Sequence, residues 1–367
     1  MSYQSRKTQA VINLTALEHN YQQISALAPH SDTIAVIKAD AYGHGAIAVA
    51  KHLDNSVPAL AVAFVDEAIN LRSAGISSPI LILEGALCEQ DITLANQENF
   101  WLMFHNIEQI HWLTSNNYTG KFWLKVDTGM NRLGFTPKQI INIIKTLSSK
   151  QQKNVVLCTH FSSAEELNNP KTLAQITRLN SLADQFQCQL SLANSAGIIN
   201  WQQSHATYNR LGIALYSGIS GDISSVTTMV SNLPIALTPV MTLQSTIIGL
   251  RDLNIGDNVG YGETWQARRL SRIATIAIGY ADGYPRNAKV GTPVWINGQR
   301  VPLIGRVSMD MITVDVTDLS QVKVGDMVEL WGENIRVETI AKQANTINYE
   351  LLTRVSARVP KIYTHAT

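Results

Sequence analysis

The sequence predicts two successive domains, an eight-stranded (β/α) barrel followed by a mostly antiparallel β domain. Three observations support this prediction. Short apolar runs alternate with helical patterns from residue 34 to about 215, β-rich stretches without long helices begin near residue 236, and polar side chains recur where the apolar runs end. A chain of 367 residues is long enough for two hydrophobic cores. We therefore place the domains at residues 1–235 and 236–367.

Eight apolar runs are the predicted barrel strands. Each is short and continuous, as is typical of parallel strands that are covered on both faces. The runs are IAVIK, ALAVAF, PILIL, FWLMF, KFWLKV, VVLCTH, QLSLA and ATYNR. Helical patterns separate them; in TPKQIINIIKTL, Thr136 is a suitable N-cap and Pro137 a suitable first helical residue. Eight such units fit a closed barrel. A doubly wound open sheet is the alternative, although no G-x-G-x-x-G follows the first strand.

The second domain is predicted from a change of pattern. The stretches TPVMTLQSTIIGL, RIATIAIGY, TPVWINGQRVPLIG, MITVDV and VGDMVELWG are rich in β-formers and contain no long helix between them. Asn297-Gly298 is a strong signal for a two-residue hairpin. One helix is predicted within TIAKQANTINYELLTRV. The second domain should therefore be an antiparallel sheet with little helix.

Composition limits the possible partners. The chain is 45% hydrophobic and 16% charged with a net charge of +1, and it has no basic cluster with interleaved aromatics. Nucleic acids and anionic membranes are therefore not expected partners. Cys88, Cys158 and Cys188 lack metal-ligand spacing, which predicts reduced thiols and no metal site. The polar start MSYQSRKTQA has no signal-peptide core, and no apolar run reaches the ~18 residues of a membrane span. We expect a soluble cytoplasmic protein.

Polar side chains follow the carboxyl ends of several predicted barrel strands. They are Lys38 after the first strand, Lys125, Asp127 and Arg132 after the fifth, His160 after the sixth, Asn194 and Ser195 after the seventh, and Arg210 after the eighth. Any one of them alone is more typical of a solvated loop. Barrel enzymes, however, carry their reacting residues at this end of the strands. The convergence of these residues on one barrel mouth therefore predicts an active site.

Two of these positions together predict a cofactor. Lys38 ends an apolar strand, and a desolvated lysine has a lowered pKa and can form a Schiff base with a carbonyl. The usual phosphate site of a barrel lies after strands seven and eight, where Ser195 and the amides of Gly212 and Ile213 are found. A ligand whose aldehyde reaches Lys38 and whose phosphate binds after strands seven and eight matches pyridoxal phosphate.

Eight motifs then carry a family resemblance. They are AVIKADAYGHG, KVDTGMNRLGF, THFSSAEE, NSAG, RLGIALYSG, VGYGETW, IGYADGYPR and GRVSMDM. In this order, over nearly the whole chain, the set resembles the alanine racemases. The resemblance implies a cytoplasmic enzyme that interconverts L-alanine and D-alanine with pyridoxal 5'-phosphate by a two-base mechanism. It also implies a homodimer with composite active sites.

The resemblance assigns the two catalytic bases. Lys38 would bind the cofactor and act as one base, and Tyr261 would reach the site from the partner subunit as the other. Racemisation needs a base on each face of the Cα, so two different bases on opposite sides are chemically reasonable. An ordinary tyrosine, with a pKa near ~10, is a poor base. Nearby positive charge or hydrogen bonds to the phenolate would lower that pKa, and His160 and Arg210 would help to provide them.

The resemblance also assigns the binding residues. The cofactor would be bound by Lys38, Tyr42, His160, Ser195, Arg210, Gly212 and Ile213. Arg210 would lie against the pyridine nitrogen and, because arginine does not give up its proton, leave the ring largely unprotonated. The substrate carboxylate would be bound by Arg132 and by the Met309 backbone N–H, and Tyr280 would line the substrate entrance, the last two from the partner subunit. Lys125 would be carbamylated, with a free ammonium in an ordinary ion pair as the alternative.

One departure from the family pattern leaves substrate preference open. Ala357 replaces a tyrosine that many family members carry before the C-terminal Arg-Val-Pro, so the pocket should be roomier. A racemase of serine or of small amino acids in general is therefore the first alternative. Amino-acid decarboxylases of the same architecture fit the motifs poorly. A non-catalytic pyridoxal-phosphate-binding barrel protein would lack the second domain. The supply of D-alanine for peptidoglycan and the catabolism of alanine are not distinguished by the sequence.

Overall fold

The computed structural model describes residues 6–116, 118–218 and 236–365. The first nine strands are β1 (Gln9–Asn13), β2 (Asp32–Val36), β3 (Leu60–Val62), β4 (Ile80–Ile82), β5 (Phe100–Phe104), β6 (Phe122–Lys125), β7 (Val155–Cys158), β8 (Gln189–Ser191) and β9 (Tyr208–Leu211). Strands β2 to β9 are parallel and pair in chain order, and β9 pairs with β2 to close a barrel. All eight predicted barrel strands are confirmed.

Helices connect the barrel strands. They are α1 (Leu14–Ser25), α2 (Lys38–Gly43), α3 (Ala46–Leu53), α4 (Val65–Ser73), α5 (Glu89–Glu98), α6 (Ile107–Ser115), α7 (Pro137–Thr146), α8 (Ser149–Asn154), α9 (Pro170–Ala183) and α10 (Ser195–Asn200). Helix α7 begins as predicted. The Thr136 Oγ1 accepts from the Gln139 N–H (3.3 Å), the Gln139 side chain accepts from the Thr136 N–H (2.9 Å), and Pro137 is the first helical residue.

The barrel strands are buried on both faces. Strands β3, β4, β6 and β7 have no exposed residue, which is why their sequences are continuously apolar rather than alternating. The large side chains Trp123, Phe104 and Phe122 are fully buried, although neighbours in one strand such as Phe122 and Trp123 face opposite sides of the sheet. Both faces of the barrel wall are therefore packed. A cavity lies at the strand ends.

The remaining strands form a second sheet and a short hairpin. They are β10 (Met241–Leu253), β11 (Asn258–Val259), β12 (Trp265–Gln266), β13 (Ser271–Ile276), β14 (Pro293–Ile296), β15 (Gln299–Ile304), β16 (Ile312–Asp315), β17 (Met327–Trp331) and β18 (Lys361–Thr364). The sheet has the order β13-β16-β15-β14-β17-β10-β1-β18 and is antiparallel except between β1 and β18. Strands β11 and β12 pair separately with each other.

Strand β1 lies in the second sheet, although the sequence places it in the barrel domain. It pairs with β10 in the antiparallel sense and with β18 in the parallel sense. Both ends of the described chain therefore meet at one edge of this sheet. The division between residues 235 and 236 adjoins residues that lie outside the described parts, and it remains a prediction.

Two local predictions have different outcomes. Asn297 and Gly298 both have positive φ, 46° and 84°, and join β14 to β15 as the predicted two-residue turn. The single predicted helix is wrong, because two short helices, α11 (Val337–Gln343) and α12 (Asn348–Thr353), occupy that segment. Asn345 has a φ of 52° and ends the first of them, since asparagine tolerates the left-handed conformation at a helix C-terminus. Within the described residues, no helix is long and apolar enough to cross a membrane.

Candidate active site

A cavity of about 1280 Å³ opens at the carboxyl ends of the barrel strands. Ten of the fourteen site residues named from the sequence line it, namely Lys38, Tyr42, Lys125, Arg132, His160, Asn194, Ser195, Arg210, Gly212 and Ile213. The predicted convergence on one barrel mouth is therefore what the geometry shows. Helices α11 and α12 of the second domain close the far side of the cavity.

Lys38 opens a left-handed turn. It follows β2 after one residue and is half-buried. The next four residues, Ala39 to Tyr42, have φ values between 52° and 54°, so α2 is a turn of left-handed helix. This conformation costs about 1–2 kcal/mol for each L-residue. The turn places Lys38 and Tyr42, four residues apart, on the wall of the same cavity.

Side chains from other elements hold this turn in place. The Ala39 N–H donates to Glu67 Oε1 at 2.7 Å. The Asp40 carboxylate accepts from the Ala46 N–H at 2.7 Å, which caps α3, and from Lys361 Nζ at 3.0 Å. Since Lys361 lies in β18, the second sheet holds the loop that carries Lys38. Tertiary contacts thus offset the cost of the left-handed conformation.

An aromatic stack supports the turn from below. The ring centroids of Tyr42 and Tyr216 are 4.9 Å apart, and those of Tyr216 and His44 are 4.4 Å apart. Burial lowers the pKa of His44 to about 4, so its ring is neutral at pH 7. Its Nδ1–H then donates to the Ala41 carbonyl at 2.9 Å. His44 therefore packs on Tyr216, which in turn stacks on the ring of Tyr42.

A small cradle lies between Tyr42, Ser195 and Gly212. The Ser195 Oγ accepts from the N–H groups of Gly212 (3.0 Å) and Ala214 (3.3 Å). A Cβ at Gly212 would lie 2.8 Å from the Tyr42 hydroxyl and 3.8 Å from the Ser195 Oγ, so any other residue would fill the cradle. Burial raises the pKa of Tyr42, which keeps its hydroxyl protonated and able to donate. Hydroxyl and amide donors around an open space suit a phosphate.

Arg210 is buried at the centre of the mouth. Its Nη1 donates to the Ser191 carbonyl (3.2 Å) and Oγ (2.5 Å), and its Nη2 donates to the carbonyls of Thr159 (2.7 Å) and Leu192 (3.3 Å). These bonds fix the plane of the guanidinium. Its Nε has no hydrogen-bond partner among the described residues. A rigid donor is therefore available on the cavity wall for a ligand acceptor.

Positive charge concentrates around His160. Its pKa lies well below the usual value, first because the ring is enclosed and then because four cationic side chains surround it. These cations are Arg210, Lys125, Arg132 and Lys38. A mouth lined in this way favours anions such as a phosphate and a carboxylate. It also keeps His160 neutral, so that its ring can accept as well as donate a hydrogen bond.

Lys125 is buried beside these cations. Burial lowers its pKa, the nearby Cys158 opposes that shift and Arg210 adds to it. Among the described residues, no carboxylate lies within ion-pair distance of its Nζ. The ordinary ion pair that was the alternative for Lys125 therefore has no partner among the described residues. A lysine with a lowered pKa exposes more neutral amine, which is the form that reacts with carbon dioxide.

The loop that carries Arg132 is built on one carboxylate. Asp127 Oδ1 accepts from the N–H groups of Gly129 (2.9 Å), Met130 (3.1 Å) and Asn131 (3.1 Å). Arg132 follows directly and is exposed at the cavity wall. The position of Asp127 at a strand end suggested a site residue, but the structure shows it as the cap of the loop. Its contribution is to hold the backbone that presents Arg132.

Tyr261, Tyr280 and Met309 lie outside the cavity of their own chain. Their side chains are 70%, 39% and 53% exposed on the second domain. Tyr261 stands in the turn between β11 and β12, and the Tyr280 backbone is joined to the segment before Met309 by a 3.0 Å bond from its N–H to the Ser308 carbonyl. The described chain thus assembles one part of the predicted site and leaves the other part on its surface.

Sequence reasoning missed the wall formed by the second domain. Glu338 and Lys342 of α11, Asn348 and Tyr349 of α12, and Arg354 line the cavity opposite the barrel mouth. Nothing in their local sequence distinguishes them from ordinary helix surface. They face the cavity only because α12 packs against the left-handed turn. Their position at the cavity therefore depends on how the two domains pack, which the local sequence does not show.

Comparisons with known proteins match both parts of the chain. Residues 12–220 match the family described as "Alanine racemase, N-terminal domain", and residues 240–363 match "Alanine racemase, C-terminal domain". A protein named alanine racemase from Alteromonas mediterranea is 46% identical over 360 residues, which cover 98% of this chain and 99% of the relative.

Solved structures give the same result. The biosynthetic alanine racemase of Pseudomonas aeruginosa superposes with a TM-score of 0.91 at 40% identity, covering 98% of this chain and 100% of the other. The alanine racemase of Bartonella henselae, solved with covalently bound pyridoxal phosphate, superposes with a TM-score of 0.86 at 30% identity, covering 97% and 99%.

Proposed function

The chain belongs to the alanine racemase family, a group of pyridoxal-phosphate-dependent amino-acid racemases, and we propose from this that it uses Lys38 and a partner subunit's tyrosine to interconvert L- and D-alanine. One observation supports this assignment above the others. A lysine, a phosphate-sized cradle and a rigid arginine donor line one cationic cavity at the barrel mouth.

The residues at the mouth fit pyridoxal phosphate. When bound, the cofactor withdraws electrons from the Cα of an amino acid and so stabilises the loss of its proton. Lys38 would bind it covalently, and the cradle of Tyr42, Ser195 and Gly212, together with the Ile213 amide, would bind its phosphate. All four residues line the same cavity, and the Tyr42 hydroxyl lies so close to Gly212 that a Cβ there would clash with it, which supports this placement.

Two further residues complete the cofactor site. The Arg210 Nε would donate to the pyridine nitrogen, and its four bonds to backbone and Ser191 would prevent it from moving with the ring. Arginine keeps its proton, so the ring nitrogen would stay unprotonated. His160, neutral because it is buried and because cations surround it, would pack beside the ring. Both residues thus set the electronic state of the site.

Arg132 would bind the substrate. A guanidinium matches a carboxylate with two parallel hydrogen bonds, and the loop capped by Asp127 holds Arg132 at the cavity wall. Lys125 is buried near Arg132 without a carboxylate partner among the described residues. Carbamylation would turn that lysine into an anion that orients the arginine. We include this modification in the proposal.

The second base would come from a second copy of the chain. Lys38 can remove or return a proton on one face of the Cα, and racemisation needs another base on the opposite face. Tyr261, with 70% of its side chain exposed and no place in its own chain's cavity, is available to a partner's cavity. Tyr280 and the Met309 N–H would enter with it. We therefore propose a homodimer with two composite sites.

Because of Ala357, racemisation of a broader range of small amino acids is the second candidate function. This residue is exposed and carries no group that would restrict the pocket. Serine or another small amino acid would then also be accepted. The similarity to a biosynthetic enzyme favours D-alanine supply as the role of the main activity. Racemisation rates of purified protein on alanine, serine and larger amino acids would separate strict from broad preference.

The replacement Lys38→Ala tests the cofactor assignment. Wild-type protein should show visible absorption from the bound cofactor, and borohydride should fix the cofactor to the chain irreversibly. Lys38→Ala should lose both signals, since no other amine is proposed to bond to the aldehyde. Lys51→Ala, at an exposed lysine of α3, is the control and should keep both. A borohydride-fixed adduct that persists in Lys38→Ala would contradict the assignment.

A further inference from the structure

Helix α9 carries a buried amide that contacts two loops of the site at once. Gln175 is 2% exposed. Its Nε2 donates to the His160 carbonyl at 3.0 Å and to the Thr128 Oγ1 at 3.1 Å. Its Oε1 accepts from the Ser162 N–H at 3.1 Å. Both ends of the amide are therefore used, and no part of it faces the cavity.

The two contacted loops carry different functions. The arginine loop, residues 126–135, holds Arg132, and the histidine loop, residues 159–163, holds His160. The loops also meet directly, because the hydroxyls of Thr128 and Thr159 are 2.7 Å apart. Gln175 lies behind this junction and donates to one residue of each loop.

A second residue of the same helix strengthens the contact. Arg178, three residues later and so on the same face as Gln175, donates from Nη1 to the Thr128 carbonyl at 2.6 Å. Thr128 is therefore held through its hydroxyl and through its backbone. Arg132 is exposed and has no comparable contact of its own among the described residues. Its position depends on the backbone of its loop.

We propose that Gln175 is a positioning residue that sets the arginine loop against the histidine loop. An amide can do this because it presents a donor pair and an acceptor in one plane. Resting on the proposed function, this arrangement fixes the distance between the substrate carboxylate, at Arg132, and the cofactor, beside His160. A buried amide with every group satisfied specifies one arrangement, whereas an apolar residue of the same size would leave the loops free to shift.

The first experiment measures the loops without turnover. Gln175→Met keeps the volume and removes all four hydrogen bonds of the amide, including the one that Oε1 accepts from the Ser162 Oγ at 3.4 Å. Amide hydrogen exchange followed by mass spectrometry should show faster exchange in the peptides covering residues 126–135 and 159–163 together, with the barrel strands unchanged. Thr172→Val is the matched control, because Thr172 is fully buried on the same helix and its hydroxyl has no partner among the described residues. That control should leave both loops as in wild type.

The second experiment measures the site. The KM for alanine should rise about tenfold in Gln175→Met while kcat falls less, since Arg132 binds the substrate and does not move the proton. Gln175→Glu adds a pH test. Its ionised carboxylate repels the His160 carbonyl, and its protonated form can donate to it. The KM defect of Gln175→Glu should therefore shrink as the pH is lowered from about 9 to about 6.

The outcomes separate this inference from the proposed function. Exchange that rises in both loops only in the Gln175 variants supports positioning, whatever reaction the protein catalyses. Exchange confined to α9, or equal in Gln175→Met and Thr172→Val, overturns it. Should Gln175→Met fail to fold, a Gln175→Glu variant with wild-type KM at every pH overturns it as well. Loss of racemase activity in wild type would refute the proposed function and leave the exchange test intact.

Discussion

The barrel mouth and the exposed surface of the β domain contribute to the proposed site in opposite ways. At the mouth, Arg210 is 5% exposed and makes four hydrogen bonds within its own chain. On the β domain, Tyr261 is 70% exposed, at the tip of a two-stranded hairpin. The chain alone thus fixes the cofactor half of the site. The other half acquires its geometry only if another molecule covers it.

The two halves also differ in charge. Burial lowers the pKa of His160, and the four cationic side chains near it at the mouth lower it further, which makes that half suited to anions. The β-domain residues assigned to the site, Tyr261, Tyr280 and the Met309 amide, are neutral. A phosphate and a carboxylate would offset the charge of the mouth, while a phenol close to these cations would lose its proton more easily. The comparison therefore predicts that Tyr261 becomes a base only in the assembled site.

Mixing two inactive variants gives the largest expected effect. Lys38→Ala and Tyr261→Phe each remove one base, so either homodimer should be inactive. A mixed dimer has one site with both bases and one with neither. Random exchange of equal amounts should therefore return about one quarter of wild-type activity, because half of the dimers are mixed and each has one of two sites intact.

The mixing experiment needs controls that show exchange of subunits between dimers. Mass spectrometry of differently tagged subunits should show mixed dimers under the conditions of the assay. Mixing Lys38→Ala with Lys38→Ala carrying Tyr261→Phe should return nothing, since no lysine base is present. Proven exchange without recovered activity would mean that the two bases belong to one chain, and the division of the site between two copies would be wrong.

The next prediction distinguishes the base that acts on one face of the substrate Cα from the base that acts on the other. In Tyr261→Phe, racemisation should fall by ~10²–10⁴-fold, the usual contribution of a positioned base. Exchange of the α-proton of D-alanine with solvent deuterium should persist, because Lys38 can remove and return it on one face. Exchange from L-alanine should fall far more. NMR of both enantiomers at matched enzyme concentration measures this, and equal losses would show that the phenol acts in binding instead.

The sequence predicts the cofactor half of this comparison well. Continuous apolar runs are a strong signal for parallel strands, and polar residues at strand ends follow from barrel geometry alone. The strand pattern is therefore sufficient to place Lys38, Ser195 and Arg210 at one mouth, where all three line the cavity. The fold, the family and the enzyme class are confirmed. The contribution of Tyr261 from a partner stays a prediction.

What the sequence could not show depends on contacts between distant segments. The left-handed turn after Lys38 is stable only because Glu67 and Lys361 bind its backbone and Asp40. Short-range patterns carry no such information, and four consecutive non-glycine residues with positive φ contradict ordinary propensity. Strand β1 joined the second sheet for the same reason, because its partners lie more than 200 residues away.

A smaller effect is expected at Lys125. If the lysine is carbamylated, it is an anion that orients Arg132, and Lys125→Ala should lower kcat/KM for alanine by roughly tenfold. Acetate should restore part of that activity, because it supplies a carboxylate to the vacated space. Methylammonium should not restore activity. If methylammonium restores activity and acetate does not, the side chain of Lys125 acts as a free ammonium.

The last effect concerns stability rather than activity. Burial lowers the pKa of His44 in the folded chain from 6.5 to about 4. Below pH 6.5 the unfolded chain binds a proton at this residue that the folded chain does not bind until about pH 4, so acid favours unfolding across that window. The contribution is fully present above pH 6.5 and falls by at most ~1.4 kcal/mol per pH unit as the pH drops towards 4.

His44→Phe should reduce this acid sensitivity while it weakens the protein at neutral pH. Phenylalanine keeps the stack on Tyr216 but loses the bond to the Ala41 carbonyl, which is worth ~1 kcal/mol. Urea unfolding at several pH values, at one protein concentration because dimers gain stability with concentration, gives the slope. His111→Phe, at an exposed histidine of α6, is the reference. If His44→Phe and wild type lose stability equally between pH 6.5 and 4, His44 is not neutral in the folded chain. A charged ring would keep its Nδ1–H bond to the Ala41 carbonyl, since both ring nitrogens of a protonated histidine donate, but it would place a cation inside the buried aromatic stack.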